Sequence, residues 1–176
     1  SQPITVTINN LNDNSPVFTS STSFSSDENQ TAIATLTATD ADGDSPTFSI
    51  SGSELTVTSG GVLTFASAPD YETKTSYTAT VTANDGANST TQDITINVNN
   101  LNDNDPVFST GATFSADENQ TAIGTAAATD ADGDSVTFSI SGSDLAITSS
   151  GVISFNSAPD YETTTSYSAT ITANDG

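Results

Sequence analysis

Residues 100–108 are NLNDNDPVF, and residues 10–18 carry the nearly identical stretch NLNDNSPVF 90 residues earlier. Each stretch begins with Asn and Asp side chains, which favour turns because they hydrogen-bond to nearby backbone groups. Each one ends on Val and Phe, which favour extended strands. The stretch therefore predicts a turn that leads into a β-rich repeat, and its return predicts a chain built from tandem copies.

The repeat extends far beyond this stretch. Residues 11–86 and 101–176 align without a gap and differ at 21 of 76 positions. A 90-residue period is too long for a solenoid unit and is typical of separate domains in a row. Because residues 1–10 (SQPITVTINN) resemble residues 91–100 (TQDITINVNN), we expect residues 1–10 to be the last strand of a preceding repeat. Residues 11–100 would then be a complete repeat, and residues 101–176 a repeat that lacks its last strand.

Alternation of apolar and hydroxylated residues predicts the strands. Ile94, Ile96 and Val98 alternate with polar residues, and Tyr77 begins a similar run, whereas no stretch keeps a helical period beyond one turn. The pattern predicts an all-β fold in which each repeat of about 90 residues is an antiparallel β-sandwich of about seven strands. The strands of the complete repeat are predicted near residues 17–25, 31–39, 47–51, 54–58, 62–66, 75–84 and 90–98.

The predicted core of the complete repeat is modest. Its members are the inward residues of these strands: Phe18, Phe24, Leu36, Phe48, Ile50, Leu55, Val57, Leu63, Phe65, Tyr77, Val81, Ile94, Ile96 and Val98. Burying a large apolar side chain contributes roughly 1.5–3 kcal/mol, against an ordering cost of about 1–2 kcal/mol per residue. A small domain without cysteine therefore needs a further stabiliser.

Composition excludes several functions. The chain has 22 acidic residues and one basic residue, a net charge of −21, and no His or Cys. Such a charge repels nucleic acids and anionic membrane surfaces, and the missing residues exclude imidazole catalysis, thiol chemistry and ordinary zinc sites. Leu, Ile, Val and Phe supply only 34 of 176 residues, which is typical of disordered segments, but the repeat and the strand pattern argue against disorder. No apolar run is long enough to enter a membrane as a spanning helix.

The acidic residues form clusters. Eleven fall in each copy, mostly within NDN at 12–14, DEN at 27–29, DADGD at 40–44, DYE at 70–72 and ANDG at 83–86, and each motif recurs 90 residues later. Any one of these motifs could simply form a turn. Five together match the preference of Ca²⁺ for six to eight oxygen ligands. An EF-hand is excluded because Ser45 occupies the position of its invariant glycine and Ser51 that of its bidentate glutamate.

In order and spacing, these motifs resemble the cadherin repeat family. Its signature elements are x-E-x near the first strand, D-x-D after the second, D-x-E before the sixth, x-D-x after it, and D-x-N-D-N-x-P-x-F at the boundary. Here they are DEN at 27–29, DAD at 40–42, DYE at 70–72, NDG at 84–86 and NLNDNDPVF at 100–108. The near-identical copies, the Ser/Thr content and the scarcity of Lys and Arg are most similar to the cadherin-like tandem repeats of large bacterial surface adhesins.

The resemblance implies tandem seven-stranded Greek-key β-sandwiches of the cadherin/immunoglobulin-like class, joined end to end by calcium-binding linkers. It also implies that calcium ions, about three per complete junction, are held between consecutive repeats. The implied ligands at the complete junction are Glu28, Asp70 and Glu72 from the first repeat, Asn102, Asp103 and Asn104 from the linker, and Asp130, Asp132 and Asp175 from the second repeat. The junction before it would use Asn12, Asp13, Asn14, Asp40, Asp42 and Asp85, and Glu118, Asp160 and Glu162 would serve a following repeat. The chain departs from the family at Asn10 and Asn100, which occupy the position of an acid.

This ligand set implies an extracellular, non-enzymatic spacer. Calcium would stiffen the chain into a rod that projects a distant binding domain from a cell surface, for adhesion or biofilm formation. The alternative is a directly adhesive module that binds other repeats or surface glycans. Strand exchange anchored by Trp is excluded because the chain has none. A glycosidase pair at Asp70 and Glu72 is disfavoured because both copies carry it without any insertion that could form a cleft.

Residues 2–8 also predict a contact between molecules. This segment has the pattern of a strand but belongs to no complete repeat, and the second repeat lacks the equivalent strand. We expect a head-to-tail donor-strand contact, in which this segment of one molecule completes the second repeat of another.

Overall fold

The computed structural model describes all 176 residues and divides into two compact units, Ser1–Leu101 and Asn102–Gly176. The first unit contains β1 (Val17–Phe18), β2 (Ser23–Asp27), β3 (Ala32–Thr35), β4 (Ala38–Thr39), β5 (Thr47–Ile50), β6 (Leu55–Val57), β7 (Val62–Phe65), β8 (Ser76–Asn84) and β9 (Ser89–Asn99). The second contains β10 (Val107–Phe108), β11 (Ala122–Thr125), β12 (Ala128–Thr129), β13 (Thr137–Ile140), β14 (Leu145–Ile147), β15 (Val152–Phe155) and β16 (Ile171–Asn174). The predicted all-β sandwich class is confirmed, and the structure contains no helix able to cross a membrane.

Two sheets enclose the core of the first unit. One has the order β2-β9-β8-β5 and the other β3-β7-β6, while β1 pairs separately with β4. β8 and β9 form the longest ladder, in which Tyr77 pairs with Ile96 and Ala79 with Ile94. β9 also pairs in parallel with β2, which places Phe24 beside Ile96. Strand β9 is therefore an interior strand of its sheet and contributes Ile94, Ile96 and Val98 to the core.

The predicted core of the first unit is confirmed. Eight of its members are buried, and the remaining six are partly buried against them. Phe65 and Tyr77 meet edge-to-face with ring centroids 5.0 Å apart, a favourable aromatic geometry. Sequence reasoning missed Ile33, Tyr71 and Ala79, which also pack against this cluster. Tyr71 lies within the D-x-E motif, so this motif is tied directly to the core.

Two predicted strands are each divided in the structure. Residues 17–25 form β1 and β2, which belong to different sheets, and residues 31–39 form β3 and β4. At the first break, the backbone N–H groups of Thr19 and Ser20 both donate to the carbonyl of Thr37. At the second, the N–H of Leu36 donates to the carbonyl of Gly61. Alternation alone cannot show where a strand leaves one sheet, because the period of two continues through the bend.

The second unit repeats most of this topology. Its sheets have the orders β11-β15-β14, β13-β16 and β10-β12, with registers that match those of the first unit. Residues 113–117 and 166–170, the counterparts of β2 and of the first half of β8, form no strands. In the first unit both segments pair with β9, which has no counterpart in the second unit. Tyr167, the counterpart of the predicted core residue Tyr77, is consequently 37% exposed.

Residues 1–10 form no strand, although residues 2–8 were predicted to be one. A strand needs a neighbour to satisfy its backbone hydrogen bonds. In the first unit, the place between β2 and β8 is already taken by β9. The segment therefore has the sequence of a strand without a sheet to join in its own unit.

Gly61 is a position that only glycine fits. Its φ is +90°, and a Cβ placed on it would overlap the carbonyl oxygen of Leu36. We expect Gly61→Ala to lower the free energy of unfolding by about 1–3 kcal/mol, the usual cost of a strained backbone position. Gly60→Ala is the matched control, because its nearest neighbour would lie 3.9 Å away. Equal unfolding midpoints for the two variants in denaturant would contradict this account.

Candidate metal centre

One end of the first unit is built around the carboxylate of Asp42. Its Oδ2 accepts the backbone N–H groups of Asp13 at 2.9 Å and Asn14 at 2.8 Å, and its Oδ1 accepts the Asn14 side-chain amide at 2.9 Å. The hydrogen bond from the Asn14 backbone is the main cause that lowers the pKa of Asp42. A carboxylate that accepts several N–H groups favours its charged form. The D-x-D motif therefore holds the N-D-N stretch in place as an anion.

The second unit has the same arrangement 90 residues later. Oδ2 of Asp132 accepts the N–H groups of Asp103 at 3.0 Å and Asn104 at 2.9 Å, and Oδ1 accepts the Asn104 amide at 2.8 Å. The geometry thus follows from the motif itself, because each copy reproduces it.

Asp85, in the x-D-x motif, faces the same cluster in the first unit. Its Oδ1 accepts the N–H groups of Ala87 and Asn88, both at 2.7 Å. The bond from Asn88 is the largest cause that lowers the pKa of Asp85. The side-chain amide of Asn88 in turn donates to the carbonyl of Asn14 at 3.0 Å. The x-D-x turn and the N-D-N stretch are therefore connected by hydrogen bonds.

Three carboxylate oxygens of these clusters are buried and have no hydrogen-bond partner. They are Oδ2 of Asp40, Oδ2 of Asp85 and Oδ2 of Asp130. In each case the other oxygen is satisfied, since Oδ1 of Asp40 accepts the N–H of Asp42 and Oδ1 of Asp130 accepts that of Asp134. An unsatisfied buried polar atom costs roughly 1–3 kcal/mol, and more when it is charged. Such atoms in native proteins call for an explanation, and a bound cation is one.

The carboxylates around these atoms also lie close to one another. Asp40, Asp42 and Asp44 offer oxygens within 4.8 Å of each other, and so do Asp130, Asp132 and Asp134. No basic side chain offsets this charge, because Lys74 is the only Lys or Arg in the chain and pairs with Glu54 at 2.5 Å. Two like charges 4 Å apart repel by about 1 kcal/mol in water and about 4 kcal/mol near a protein surface. Each cluster is thus a concentration of negative charge that the protein itself leaves unneutralised.

The opposite end of the first unit contains a buried carboxylate. Glu28 is only 2% exposed, and its two oxygens accept the N–H groups of Tyr71 at 2.7 Å and Leu101 at 2.8 Å. Glu72 offers an oxygen within 4.8 Å of the Glu28 carboxylate. Asp70 instead caps the turn after it, accepting the hydroxyl of Thr73 at 2.8 Å. The D-x-E motif and the linker residue Leu101 are therefore both tied to one glutamate.

The equivalent end of the second unit brings together all three predicted residues. Glu118, Asp160 and Glu162 offer oxygens within 4.8 Å of one another, and Glu118 accepts the N–H of Tyr161 at 3.0 Å. Hydrogen bonding from the Thr163 side chain is the first cause that lowers the pKa of Asp160. All three residues are exposed, unlike Glu28.

The sequence-predicted ligands that form the hydrogen bonds and carboxylate groups described above lie at these ends of their own units. The first unit's N-terminal cluster contains Asn12, Asp13, Asn14, Asp40, Asp42 and Asp85, and Glu28, Asp70 and Glu72 lie at its other end. In the second unit, Asp103 and Asn104 are bound to Asp132, Asp130 lies beside them, Asn102 is exposed and Asp175 is half-buried. Sequence reasoning did not include Asp44, Asp134 and Asn88 among the residues of these clusters. The first two continue the D-x-D pattern by one more step, which was a visible signal.

The donor set fits calcium. Every candidate ligand offers a carboxylate, amide or backbone oxygen, the hard donors that Ca²⁺ takes in groups of six to eight. The three unpartnered oxygens provide ligand atoms that no other group of the protein uses. A site for a soft transition metal would need Cys or His, and the sequence contains neither.

Comparisons with known proteins agree on the type of domain. A family model described as "Bacterial Ig domain" matches residues 12–98. The human "Cadherin EGF LAG seven-pass G-type receptor 1" is 34% identical over 149 residues, covering 75% of this chain but 5% of the receptor. The chain therefore spans only a small part of the curated relatives it matches.

Solved structures show the same relationship. Human protocadherin-24 EC1-2, in the crystal structure titled Form II, is 27% identical with a TM-score of 0.72, covering 83% of this chain and 79% of that one. Mouse cadherin-23 EC22-24 has a TM-score of 0.74 at 24% identity, covering 94% of this chain and 61% of that one. The second likeness concerns the fold alone.

Proposed function

Because the chain belongs to the cadherin repeat family, we propose that it is a calcium-stiffened extender segment of a cell-surface adhesin. As a cadherin-like module, the chain is extracellular and non-enzymatic. The match to a bacterial immunoglobulin-like family supports a bacterial adhesin as the parent protein. In that setting the repeats project a distal binding domain for adhesion or biofilm formation.

The observation that carries the proposal is the set of unpartnered buried oxygens on Asp40, Asp85 and Asp130. Folding buries such an atom at corresponding positions of the two repeats, Asp40 and Asp130, and at Asp85 in the first unit. A carboxylate that only stabilises a turn can use its oxygens to accept a backbone N–H or a hydroxyl group, as Oδ2 of Asp70 accepts the hydroxyl of Thr73. Calcium would supply the missing positive charge and bind several of these oxygens at once.

The proposed junction site uses residues on both sides of the linker. Glu28 and Glu72 come from the first unit, Asp103 from the linker, and Asp130 and Asp132 from the second unit, with Asp70, Asn102, Asn104 and Asp175 completing the set. The covalent chain supports this assignment. Glu28 binds the N–H of Leu101, Asp132 binds the N–H of Asp103, and these linker residues are two apart in sequence. Since consecutive Cα atoms are about 3.8 Å apart, the Cα atoms of Leu101 and Asp103 cannot be more than about 7.6 Å apart.

About three calcium ions would nearly neutralise this junction. The carboxylates of Glu28, Asp70, Glu72, Asp103, Asp130, Asp132 and Asp175 carry about seven negative charges, against about six positive charges from three ions. Without the ions, repulsion among the carboxylates favours separation of the two ends. With them, the linker loses its freedom to bend. The same chemistry at the preceding and following junctions, through Asp40, Asp42 and Asp85 or through Glu118, Asp160 and Glu162, would extend the rod.

Small-angle scattering with calcium and with a chelator tests this function. We expect a longer and narrower distance distribution in calcium, because a stiff linker fixes the separation of the two units, and a broad distribution in chelator. Scattering should be extrapolated to zero concentration so that only single molecules contribute. Identical curves in both conditions would exclude the calcium-stiffened rod.

A pair of variants tests whether the calcium-dependent change in the distance distribution arises at the junction. Asp103→Ala should give the chelator-like distribution even in calcium. Asp144→Ala is the matched control, because Asp144 is exposed and outside every motif. Glu54 is unsuitable as a control because it forms the ion pair with Lys74. Equal responses of the two variants would contradict the assignment of Asp103.

A further inference from the structure

The connection between β2 and β3 carries a motif that the predicted calcium ligands do not include. Residues 29–31 are Asn-Gln-Thr, and residues 119–121 repeat this triplet in the second unit. Asn-x-Ser/Thr, with any residue except proline in the middle, is the acceptor motif for N-linked glycans. A third motif of this kind is Asn-Ser-Thr at residues 88–90. Because Ser and Thr are abundant in this chain, the structure has to show which of the three asparagines an enzyme could reach.

The motif at residues 29–31 lies in an exposed turn of the complete repeat. All three of its residues are exposed, and Asn29 has a φ of +62°, a left-handed conformation that asparagine tolerates better than most residues. Asn119 has the same φ, and residues 119–121 are also exposed, so this turn is a property of the repeat. Surface loops accept bulky additions because no packed side chain has to be displaced.

Backbone hydrogen bonds hold this turn in place. The N–H of Asn29 donates to the carbonyl of Pro69 at 3.0 Å, and the carbonyl of Thr31 accepts the N–H of Phe65 at 2.9 Å. Glu28 is only 2% exposed, so its carboxylate is buried while the next residue, Asn29, lies at the surface. A glycan on the side-chain nitrogen of Asn29 would therefore leave both backbone hydrogen bonds and the Glu28 carboxylate in place.

Asn88 lies in a different environment. It is half-buried, and its side-chain amide donates to the carbonyl of Asn14 at 3.0 Å and to Oδ1 of Asn12 at 3.3 Å. Its nitrogen would have to leave both acceptors before it could react, and a part-buried acceptor that loses its hydrogen bond is costly. The folded chain therefore protects this third motif.

The three motifs also differ in the charge that precedes them. An exposed acid lies two residues before Asn29 and before Asn119, namely Asp27 and Asp117, whereas Gly86 has this position before Asn88. An acid at this position offers the modifying enzyme a group that a basic side chain can bind through a charge-assisted hydrogen bond.

We propose that Asn29 and Asn119 are N-glycosylation sites of this extracellular chain and that Asn88 is not. The co-substrate is an oligosaccharide linked to a lipid pyrophosphate. Nδ2 of the asparagine forms a bond to C1 of the first sugar, and the bond from C1 to the pyrophosphate oxygen breaks. The lipid pyrophosphate leaves with the bonding electrons, and Nδ2 loses one of its two protons to a base of the enzyme. Each repeat would thus carry one bulky, hydrated group beside its D-x-E motif.

Intact-mass spectrometry tests this assignment on the folded 176-residue chain, incubated in calcium with a bacterial oligosaccharyltransferase and a lipid-linked oligosaccharide. We expect two glycans per chain, and peptide mapping should place them on Asn29 and Asn119. A chain that gains no mass, or that carries a glycan on Asn88 as often as on Asn29, would overturn the proposal. Glycosylation does not require the calcium sites, so a negative result here would leave the scattering test of the rod unaffected.

Substitutions at Thr31 provide a matched pair, because they leave Asn29 itself unchanged. Thr31→Ser keeps the acceptor motif, so we expect two glycans as in the parent chain. Thr31→Ala removes the motif and should leave one glycan, on Asn119. Thr90→Ala should retain both glycans, because it alters only the motif of Asn88. Equal numbers of glycans on the Thr31→Ala and Thr31→Ser chains, or loss of a glycan from Thr90→Ala, would contradict the assignment.

Discussion

We expect calcium to raise the thermal unfolding midpoint of the chain by about 5–10 °C for each occupied site when the ion is present at about 100 times its dissociation constant. A ligand at that concentration that binds only the folded state adds about 2.7 kcal/mol. For a chain of this length, about 1 kcal/mol shifts the midpoint by roughly 2–4 °C. Three sites at one junction would therefore make calcium one of the largest contributions to stability. Calorimetry in calcium and in chelator measures this shift.

Asp130→Asn makes this prediction sharper, because its effect should depend on the ion. The amide keeps the acceptor that binds the N–H of Asp134, but it removes a charge whose Oδ2 is buried without a partner. In chelator we therefore expect an unchanged or higher midpoint than in the parent chain. In calcium we expect a lower one, because a ligand is lost. Asp144→Asn should be neutral in both, and a destabilisation by Asp130→Asn in chelator would contradict the metal assignment.

Ile94→Ala lowers the free energy of unfolding of the first unit by about 2–5 kcal/mol, while Ile4→Ala changes it by less than about 0.5 kcal/mol. The two isoleucines occupy equivalent positions of similar decapeptides, yet Ile94 is 2% exposed and Ile4 is 83% exposed. Truncating Ile94 leaves a cavity between β2 and β8, whereas truncating Ile4 removes only side-chain atoms that are already in contact with water. Unfolding in denaturant measures both free-energy changes.

The expected difference in unfolding free energy between Ile94→Ala and Ile4→Ala depends on β9, and not residues 1–10, being the strand packed in the core of the first unit. Thr95→Ala, next to Ile94, provides a second control, because Thr95 lies on the other face of the strand and is only half-buried. A loss from Ile4→Ala as large as that from Ile94→Ala would show that residues 1–10 are packed within the single molecule.

Most of the fold could be predicted from the sequence because the alternation of apolar residues is strong. The strands predicted near 75–84 and 90–98 correspond to β8 and β9, and all fourteen predicted core residues belong to the core cluster. The breaks at Thr19 and Leu36 could not be predicted. They depend on hydrogen bonds to Thr37 and Gly61, which are distant enough in sequence that local pattern does not reveal them.

The candidate site was predictable as a set of motifs but not as a set of contacts. D-x-D and N-D-N are visible in the sequence, and their recurrence after 90 residues shows that they belong to the repeat. That Asp42 accepts the N–H groups of Asp13 and Asn14, and that one oxygen of Asp40 has no partner, depends on the turn geometry. The sequence likewise could not show that Glu28 is buried, because glutamate is usually exposed.

The sequence alone therefore determined the repeat, the β class, the core residues and the chemistry of the acidic motifs, because these depend on residue type, order and spacing. The tertiary structure decided which of two similar segments becomes a strand. Residues 91–100 are buried because β2 and β8 offer hydrogen bonds on both sides, and residues 1–10 are exposed because their own unit has no such place left. A segment becomes a strand only where neighbouring strands supply hydrogen bonds and packing, and the tertiary fold decides which segments have such neighbours.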